Sequence, residues 1–320
     1  MKTNSKKTLI SIVATFFNEE GNLGPLYSKV KEVFENIDYE FELILIDDAS
    51  EDDSLEIARK LRLKDPRVKI LSLTRRFGHQ ASLSAGIDYA EGDAVILMDS
   101  DLQHPPEVIP ELLKKWREGY ENVYTIRKVT KNNPFFKKFC SVIFYRIFRA
   151  LTKIDLPMNS ADFRLLDRKV VLQLRKIQER NRFLRGIIAW TGFRSVGIDY
   201  QDAPRHSGEI KYGFKKKLFL AIDAVTSFSI KPLYLGVVIG FIFAVLGFVY
   251  FVYVLYISIF TDTDIPGWAS VASLLSILGG IQLIVVGLIG IYIGKIFEEV
   301  KQRPLYLIRY AKGFDKKILE

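Results

Sequence analysis

Two aspartates one residue apart, Asp99 and Asp101, follow directly on the apolar run Ala94-Val95-Ile96-Leu97-Met98. A short run of apolar, partly β-branched residues reads as a buried strand. Side chains two apart on an extended chain point to the same side, so both carboxylates face together where the strand leaves its sheet. In open α/β sheets that edge is where ligands bind. Paired oxygen donors suit Mg²⁺ or Mn²⁺, ions that combine one or two carboxylates with water and phosphate oxygens. Asp-x-Asp alone also fits a solvated loop. The strand before it and Gln103-His104-Pro105-Pro106 after it favour a metal–diphosphate site.

The elements that must position this pair alternate strand with helix. Thr8 to Phe17 reads as a strand, followed by the turn and helix start Asn18-Glu19-Glu20-Gly21-Asn22 and by Leu23, Leu26, Val30 and Val33 at helical spacing. Residues 41–46 make a second strand, 54–63 a helix, 68–73 a third strand and 78–90 a helix. Residues 106–118 form a helix with Pro106 near its start, and 122–126 a fifth strand ending at Arg127. The alternation predicts a mostly parallel sheet covered on both faces. Asn18, Glu19, Asp47, Asp48, Arg75, Arg76, Asp99, Asp101 and Arg127 then gather at one edge of that sheet. Strand ends are wet in any fold, but these side chains suit the separate parts of a nucleotide sugar. Neither Gly-x-Gly-x-x-Gly after the first strand nor a P-loop is present, which leaves a metal to hold the diphosphate.

Of the 320 residues, 46 are Lys or Arg and 37 Asp or Glu, a net charge of +9. No charged residue occurs in 233–261 or in 265–294. Each stretch exceeds the roughly 20 residues that a helix needs to cross a hydrocarbon core of about 30 Å. Two transmembrane helices, over about 233–260 and 268–294, are expected. Their connector, Asp262-Thr263-Asp264, lacks Lys and Arg. Lys211, Lys215, Lys216, Lys217 and Lys231 precede the spans, and Lys295, Lys301, Arg303, Arg309 and Lys312 follow them. The positive-inside rule puts both termini and the soluble domain on the cytoplasmic side of the membrane. The basic excess crowds beside the spans and carries no nucleic-acid motif, so anionic lipid rather than nucleic acid is its expected partner. The single cysteine, Cys140, excludes an intrachain disulfide and agrees with a reducing compartment. Segments 134–152 and 211–230 read as basic amphipathic helices, suited to the membrane interface or to packing on the soluble domain. The expected division is a domain over 1–230 and, over 231–320, two spans with a cytoplasmic tail. Gly279, Gly280, Gly287, Gly290 and Gly294 would let helices pack closely in a homo-oligomer. Trp116, Tyr124 and Trp190 read as packing residues, and His79 and His104 as surface or core histidines with donor contact as the alternative.

Several motifs in a fixed order extend this reading: Phe17-Asn18-Glu19-Glu20, Asp47-Asp48-Ala49-Ser50, Phe77-Gly78-His79-Gln80, Asp99-Ser100-Asp101-Leu102-Gln103-His104, Ala161-Asp162-Phe163-Arg164 and Arg205-His206-Ser207-Gly208. With the paired spans, they resemble the polyprenyl-phosphate glycosyltransferases of glycosyltransferase family 2, among them dolichyl-phosphate mannose synthases and bacterial undecaprenyl-phosphate glucosyltransferases. The resemblance covers residues 9–305. It implies an α/β fold of the GT-A type, Rossmann-like with a mostly parallel sheet, and a metal-dependent inverting transfer to a lipid phosphate. By position it assigns Thr15, Phe17, Glu19, Asp47 and Asp48 to the nucleotide and Gln103 to the sugar or diphosphate. It assigns Asp99 and Asp101 to the metal, Arg127, Arg205 and Lys211 to the acceptor phosphate, and Asp162 to the catalytic base.

Thr15-Phe16 replaces the family's usual proline, Ser100 its usual alanine, and Ile210 a common serine. Gln178-Glu179-Arg180-Asn181-Arg182 does not match the Gln-x-x-Arg-Trp motif of processive members. A phosphate monoester has a second pKa of about 6, so near neutral pH it needs little help from a base. Asp162 is therefore expected to orient Arg164, the metal shell or the acceptor, with a helix N-cap as the competing reading. The two-span layout resembles the bacterial glucosyl enzymes and favours UDP-glucose. A GDP-mannose-dependent dolichol-phosphate-mannose-type synthase and a non-catalytic lipid-binding membrane protein are the alternatives.

Overall fold

The computed structural model describes residues 7–128, 146, 148–152, 154, 157, 159–180, 182–201, 225–260 and 267–314. Strand and helix alternate as expected: β1 (Leu9–Phe16), α1 (Glu20–Glu35), β2 (Glu40–Asp47), α2 (Ser54–Lys64), β3 (Val68–Leu73), α3 (His79–Tyr89), β4 (Ala94–Asp99), α4 (Ile109–Arg117) and β5 (Asn122–Arg127). A 3₁₀ turn, Pro106–Val108, precedes α4. β1, β2 and β4 are buried on both faces, as strands of a covered parallel sheet must be. Beyond these come β6 (Ser160–Asp167), α5 (Arg168–Lys176), α6 (Leu184–Trp190) and β7 (Ser195–Tyr200), then α7 (Lys231–Phe260), α8 (Trp268–Val300) and β8 (Ile308–Lys312).

The strands form one sheet in the order β7-β5-β6-β4-β1-β2-β3-β8. β1 pairs in parallel with both β2 and β4, β2 with β3, and β5 with β7. β6 runs antiparallel between β4 and β5, and β8 antiparallel along β3. The chain steps from β1 to β2 to β3 and then returns to the other side of β1 as β4, which creates a topological switch point at the C-terminal ends of β1 and β4. Thr15 and Asp99 are register partners there. This is the Rossmann-like, mixed but mostly parallel α/β sheet that GT-A implies. Helix α3 lies close on the sheet because Gly86 has no side chain: a Cβ there would stand 2.2 Å from Val13 Cγ1. That approach brings His79, the first residue of α3, to the edge where β1 and β4 end.

The competing cap reading of Asp162 does not hold. Asp162 sits inside β6, so it caps no helix; the side chain that caps α5 is Asp167, which accepts from the Lys169 amide at 2.8 Å. By contacts one unit comprises Met1–Arg149, Ile154–Phe214 and Arg303–Glu320, and the other Ala150–Lys153 and Lys215–Gln302. Within the first unit β8 covers β3, an otherwise open edge, Tyr306 Oη donates to Asp88 at 2.8 Å, and the Arg59 guanidinium lies 4.9 Å over the Tyr310 ring. Burial and the neighbouring Asp88 push the Tyr306 phenol far up, so it stays a donor.

The second unit contains α7 and α8. Lys231–Val254 and Ile277–Val300, with mean hydropathies of 2.7 and 2.2, are long and apolar enough to cross a membrane. Their large apolar side chains are exposed, as lipid-facing surfaces are. Inside this unit Tyr292 Oη donates to the Ser229 carbonyl at 2.6 Å and Lys295 Nζ to Ser227 Oγ at 2.7 Å. Most of the two amphipathic segments, Arg205, Lys211 and the Trp268 side chain lie outside what the structure describes. Trp116 packs as expected and donates to Asp167 at 2.7 Å, whereas Trp190 is 65% exposed.

Candidate active site

The ends of β2 and β4 deliver carboxylates in pairs, and the loops that follow are built around them. Asp47, fully buried at the end of β2, accepts from the Ser50 amide at 2.7 Å and from Ser72 Oγ at 2.8 Å. Asp48 accepts from the Phe77 and Gly78 amides at 2.7 and 2.9 Å. Burial pushes the Asp48 carboxyl upward, partly offset by those amides. Gly78 has φ +97°, a left-handed conformation in which a side chain is strained, and this turns the chain directly into α3. Asn18 and Ala49 also have positive φ, at 55° and 61°, where the chain leaves β1 and β2. The Glu19 amide is held by Ser54 Oγ at 2.8 Å, its carboxylate accepts from Asn22, and the Arg76 guanidinium lies 3.9 Å over the Phe17 ring.

The Asp99-Ser100-Asp101 turn is fixed from within and from below. Leu102 has φ +62°, rare for a branched side chain, and the Gln103 amide donates back to Asp101 Oδ1 at 3.1 Å. His104, 2% exposed, stacks on Phe163 with ring centroids 5.2 Å apart, and its Nδ1 accepts from the Asp99 amide at 3.0 Å. His104 is thus the core histidine expected, in the tautomer that carries its proton on Nε2.

His79 is not the bland residue its default reading suggests. Its Nδ1 lies 3.1 Å from Thr15 Oγ1, and its Nε2 lies 3.5 Å from both Asp99 Oδ1 and Asp162 Oδ2. Burial lowers its pKa, but the Asp99 and Asp162 carboxylates outweigh burial and raise it to about 9. Asp162 is gripped by a residue that sequence reasoning missed. Arg185 of α6 donates from Nε to Oδ1 at 2.6 Å and from Nη2 to Oδ2 at 2.8 Å, a two-pronged pairing, while Nη1 donates to the Ser160 carbonyl at 2.9 Å. Burial would raise the Asp162 carboxyl, but Arg185 and then His79 hold it well below the usual carboxylate range. Arg164 lies on the same face of β6, and Asp162 pairs with Arg185 rather than with it.

The segment Phe77–Gln80 ties these parts together. Phe77 and Gly78 bind Asp48, His79 bridges Asp99 and Asp162, and Gln80 Oε1 accepts the Leu184 amide at 2.9 Å, which fixes the start of α6 beside Arg185. The site therefore gathers Thr15, Asp47, Asp48, His79, Asp99, Asp101 and Asp162 at one sheet edge. Arg127 ends β5, and its amide donates to the Asn159 carbonyl at 3.1 Å.

Asp99 and Asp101 fit a divalent cation by the chemistry of their donors. Both are hard oxygen ligands, and Asp99 is half-exposed at the switch point. Among the described residues no group of three or more Asp, Glu, His or Cys is arranged to hold a metal ion, so the remaining ligands would come from water and substrate.

Comparison with known proteins agrees with this geometry. Residues 11–175 match the model of glycosyl transferase family 2. YkcC of Bacillus subtilis, described as an uncharacterised glycosyltransferase, is 43% identical over 98% of both chains. A bactoprenol glucosyl transferase of Shigella phage SfII is 38% identical over 94% of this chain and 97% of its own. A prophage bactoprenol glucosyl transferase homologue of Escherichia coli is 37% identical over 95% and 99%. The chain belongs to glycosyl transferase family 2 and is a glycosyltransferase.

Proposed function

We propose that this family 2 transferase moves glucose from UDP-glucose to undecaprenyl phosphate, inverting the anomeric centre and releasing UDP. The observation that carries the proposal is the meeting of the acidic pair Asp99/Asp101 with the Asp162–Arg185 pair, bridged by His79, at the switch point of a chain with two membrane-length helices. Near full-length likeness to enzymes named for bactoprenol glucosyl transfer supports the lipid and the sugar.

In this reading Thr15, Phe17, Glu19, Asp47 and Asp48 surround the nucleotide, and Gln103 lies by the sugar or diphosphate. Asp99 and Asp101 would hold Mg²⁺ or Mn²⁺, which when bound supplies Lewis-acid stabilisation of the leaving diphosphate. One oxygen of the lipid phosphate forms the new bond to the anomeric carbon as the bond to the nucleotide breaks. That oxygen is already ionised, because its second pKa is about 6. Asp162, held ionised by Arg185, has no proton affinity to spare near neutral pH and acts by position. It keeps Arg185 and His79 in place beside the reacting centre. Arg127, Arg205 and Lys211 remain candidates to guide the acceptor's phosphate. The flanking lysines and arginines support a cytoplasmic position for the catalytic unit and both termini.

The test is to incubate membranes bearing the protein with labelled UDP-glucose, other UDP-sugars or GDP-mannose and with undecaprenyl phosphate, with and without EDTA. Glucosyl lipid formed only from UDP-glucose and only without chelator is the expected result. Full turnover in EDTA, or a product without the lipid phosphate, would overturn it.

A further inference from the structure

The segment that carries Phe77–Gln80 is gripped at both of its ends by the chain that follows the second apolar helix. That chain leaves α8 at Val300, turns at Gln302 with φ +47°, and enters the catalytic unit at Arg303. Pro304 cannot continue a helix. Tyr306 Oη then donates to Asp88, the last residue but one of α3, at 2.8 Å. The residues after it act at the other end of the segment. The Leu307 carbonyl accepts the Thr74 amide at 2.9 Å, and the Arg309 guanidinium donates to the Thr74 carbonyl. Thr74 follows β3 directly, and α3 begins at His79.

Helix α3 can transmit what is done to its far end. Ala81 to Ile87 are all buried, and a close-packed helix shifts as a body rather than bending. By helix rise, Asp88 stands roughly 14 Å along the axis from His79. The last carbonyls of α3 are held by cations of α5. Arg175 Nη2 donates to those of Ile87 and Ala90 at 2.9 and 2.6 Å, and Arg168 Nη1 to that of Ala90 at 2.6 Å. The Asp88 side chain depends on the tail instead. Burial pushes its carboxyl upward, and the Tyr306 hydroxyl offsets this first, with Arg182 and Arg175 acting through space.

The other end of α3 needs such a hold. His79 Nε2 is 3.5 Å from both Asp99 and Asp162, too long for either contact to fix the ring by itself. Thr15 steadies Nδ1 at 3.1 Å, so the spacing to the two carboxylates is set by where the helix stands.

We propose that Tyr306 is a positioning residue for the transfer reaction: by holding Asp88 it fixes the axial setting of α3, and with it the place of His79 between Asp99 and Asp162. The inference rests on the reaction above for its kinetic readout, while the hold itself has a readout of its own.

Tyr306→Phe in the full chain in detergent tests it, because the ring stays and only the hydroxyl goes. Amide hydrogen exchange of peptides covering 74–90 should quicken about tenfold, with the rest of the catalytic unit as in wild type. Under the same conditions kcat should fall about three- to tenfold at constant KM for UDP-glucose, the loss expected from slight misplacement rather than from lost binding. Asp88→Ala removes the acceptor instead of the donor and should give the same loss. Asp88→Asn keeps an oxygen that accepts from the phenol and should hold kcat within about twofold of wild type. In a His79→Gln background, Tyr306→Phe should lower kcat no further, since residues acting through one another do not add. Wild-type exchange or wild-type kcat in Tyr306→Phe would overturn the inference. So would an equal loss in the His79→Gln background, which a merely structural role would give. Failure of the transfer reaction itself would look different: no glucosyl lipid from the wild-type enzyme, with the exchange difference over 74–90 still present.

Discussion

The two sides of the active site hold their carboxylates in opposite ways. On the parallel side, Asp47, Asp48 and Asp101 are held by amides and hydroxyls of loops close to them in the fold. On the antiparallel side, Asp162 is held by a guanidinium 23 residues further along the chain. Main-chain donors cannot be mutated away, so the parallel side tolerates change in its neighbours as long as the loops keep their shape. The charged pair behaves as a unit, and either partner alone is a buried charge without its counterpart. On the reaction proposed above, the loop-held carboxylates would face the nucleotide sugar and the charge-held pair the lipid phosphate.

The largest expected effect lies at the junction of the two sides. Asp99→Asn or Asp101→Asn should lower kcat about a hundredfold to a thousandfold, the loss typical when stabilisation of developing charge is removed. Metal-dependent UDP binding should fall with it, as read by titration of UDP with and without Mn²⁺. Near-normal turnover in both variants would break the comparison at its root. Next comes Asp162→Asn, expected to lower kcat/KM about a hundredfold. If Arg185 holds Asp162 ionised, any low-pH limb of the rate profile persists unchanged in the variant; its disappearance would identify Asp162 as the titrating base. Combined with Arg185→Lys, the double variant should lose much less than the two single losses multiplied. A strictly multiplicative loss would mean that the pair is not a unit.

The bridge between the sides gives a smaller effect. Gln80→Ala removes the acceptor for the Leu184 amide, about 1–3 kcal/mol of local stability if the amide is left unpaired. Because α6 carries Arg185, kcat should fall severalfold while UDP affinity stays constant. Equal losses in both would place Gln80 on the nucleotide side instead.

This asymmetry also decides what could be read from the sequence. The parallel side was legible because each strand is a short apolar run and each carboxylate stands at the end of its own strand, next to the turn residues it organises. Asp47, Asp48, Asp99 and Asp101 needed no knowledge of distant contacts. β6 was not legible as a strand: Ser160–Asp167 mixes Asp162 and Arg164 into apolar sequence, and only antiparallel insertion between β4 and β5 explains their burial. Arg185 escaped for the same reason, since nothing local links it to Asp162. The one available signal was Phe77-Gly78-His79-Gln80, a polar-ended motif whose residues reach Asp48, Asp99, Asp162 and α6 in turn. β8 was hidden because a strand that pairs after two apolar helices has no sequence neighbour to announce it.

The smallest effect is a control placed on the parallel side, away from the chemistry. Asp65, at the C-terminal end of α2, accepts from Arg67 Nη2 at 2.7 Å, from the Arg67 amide at 2.9 Å and from Tyr27 Oη at 2.9 Å. Hydrogen bonding from Arg67 outweighs burial and lowers its pKa from the ordinary 3.8 to about 2. A carboxyl with a lowered folded-state pKa stabilises the fold fully above its unfolded pKa and loses that contribution as pH falls. The window is therefore from about pH 4 down to about pH 2. With Arg67 half in solvent the contribution is about 1–2 kcal/mol rather than the full value of the shift. Asp65→Asn should remove that amount at neutral pH and flatten the acid limb of stability, with kcat unchanged. Stability is read from thermal unfolding of the catalytic unit in the full chain between about pH 2 and pH 7. A variant that instead lost activity with stability intact would mean that the loop after α2 is part of the nucleotide side, and the rigid half of the site would extend further than its carboxylates indicate.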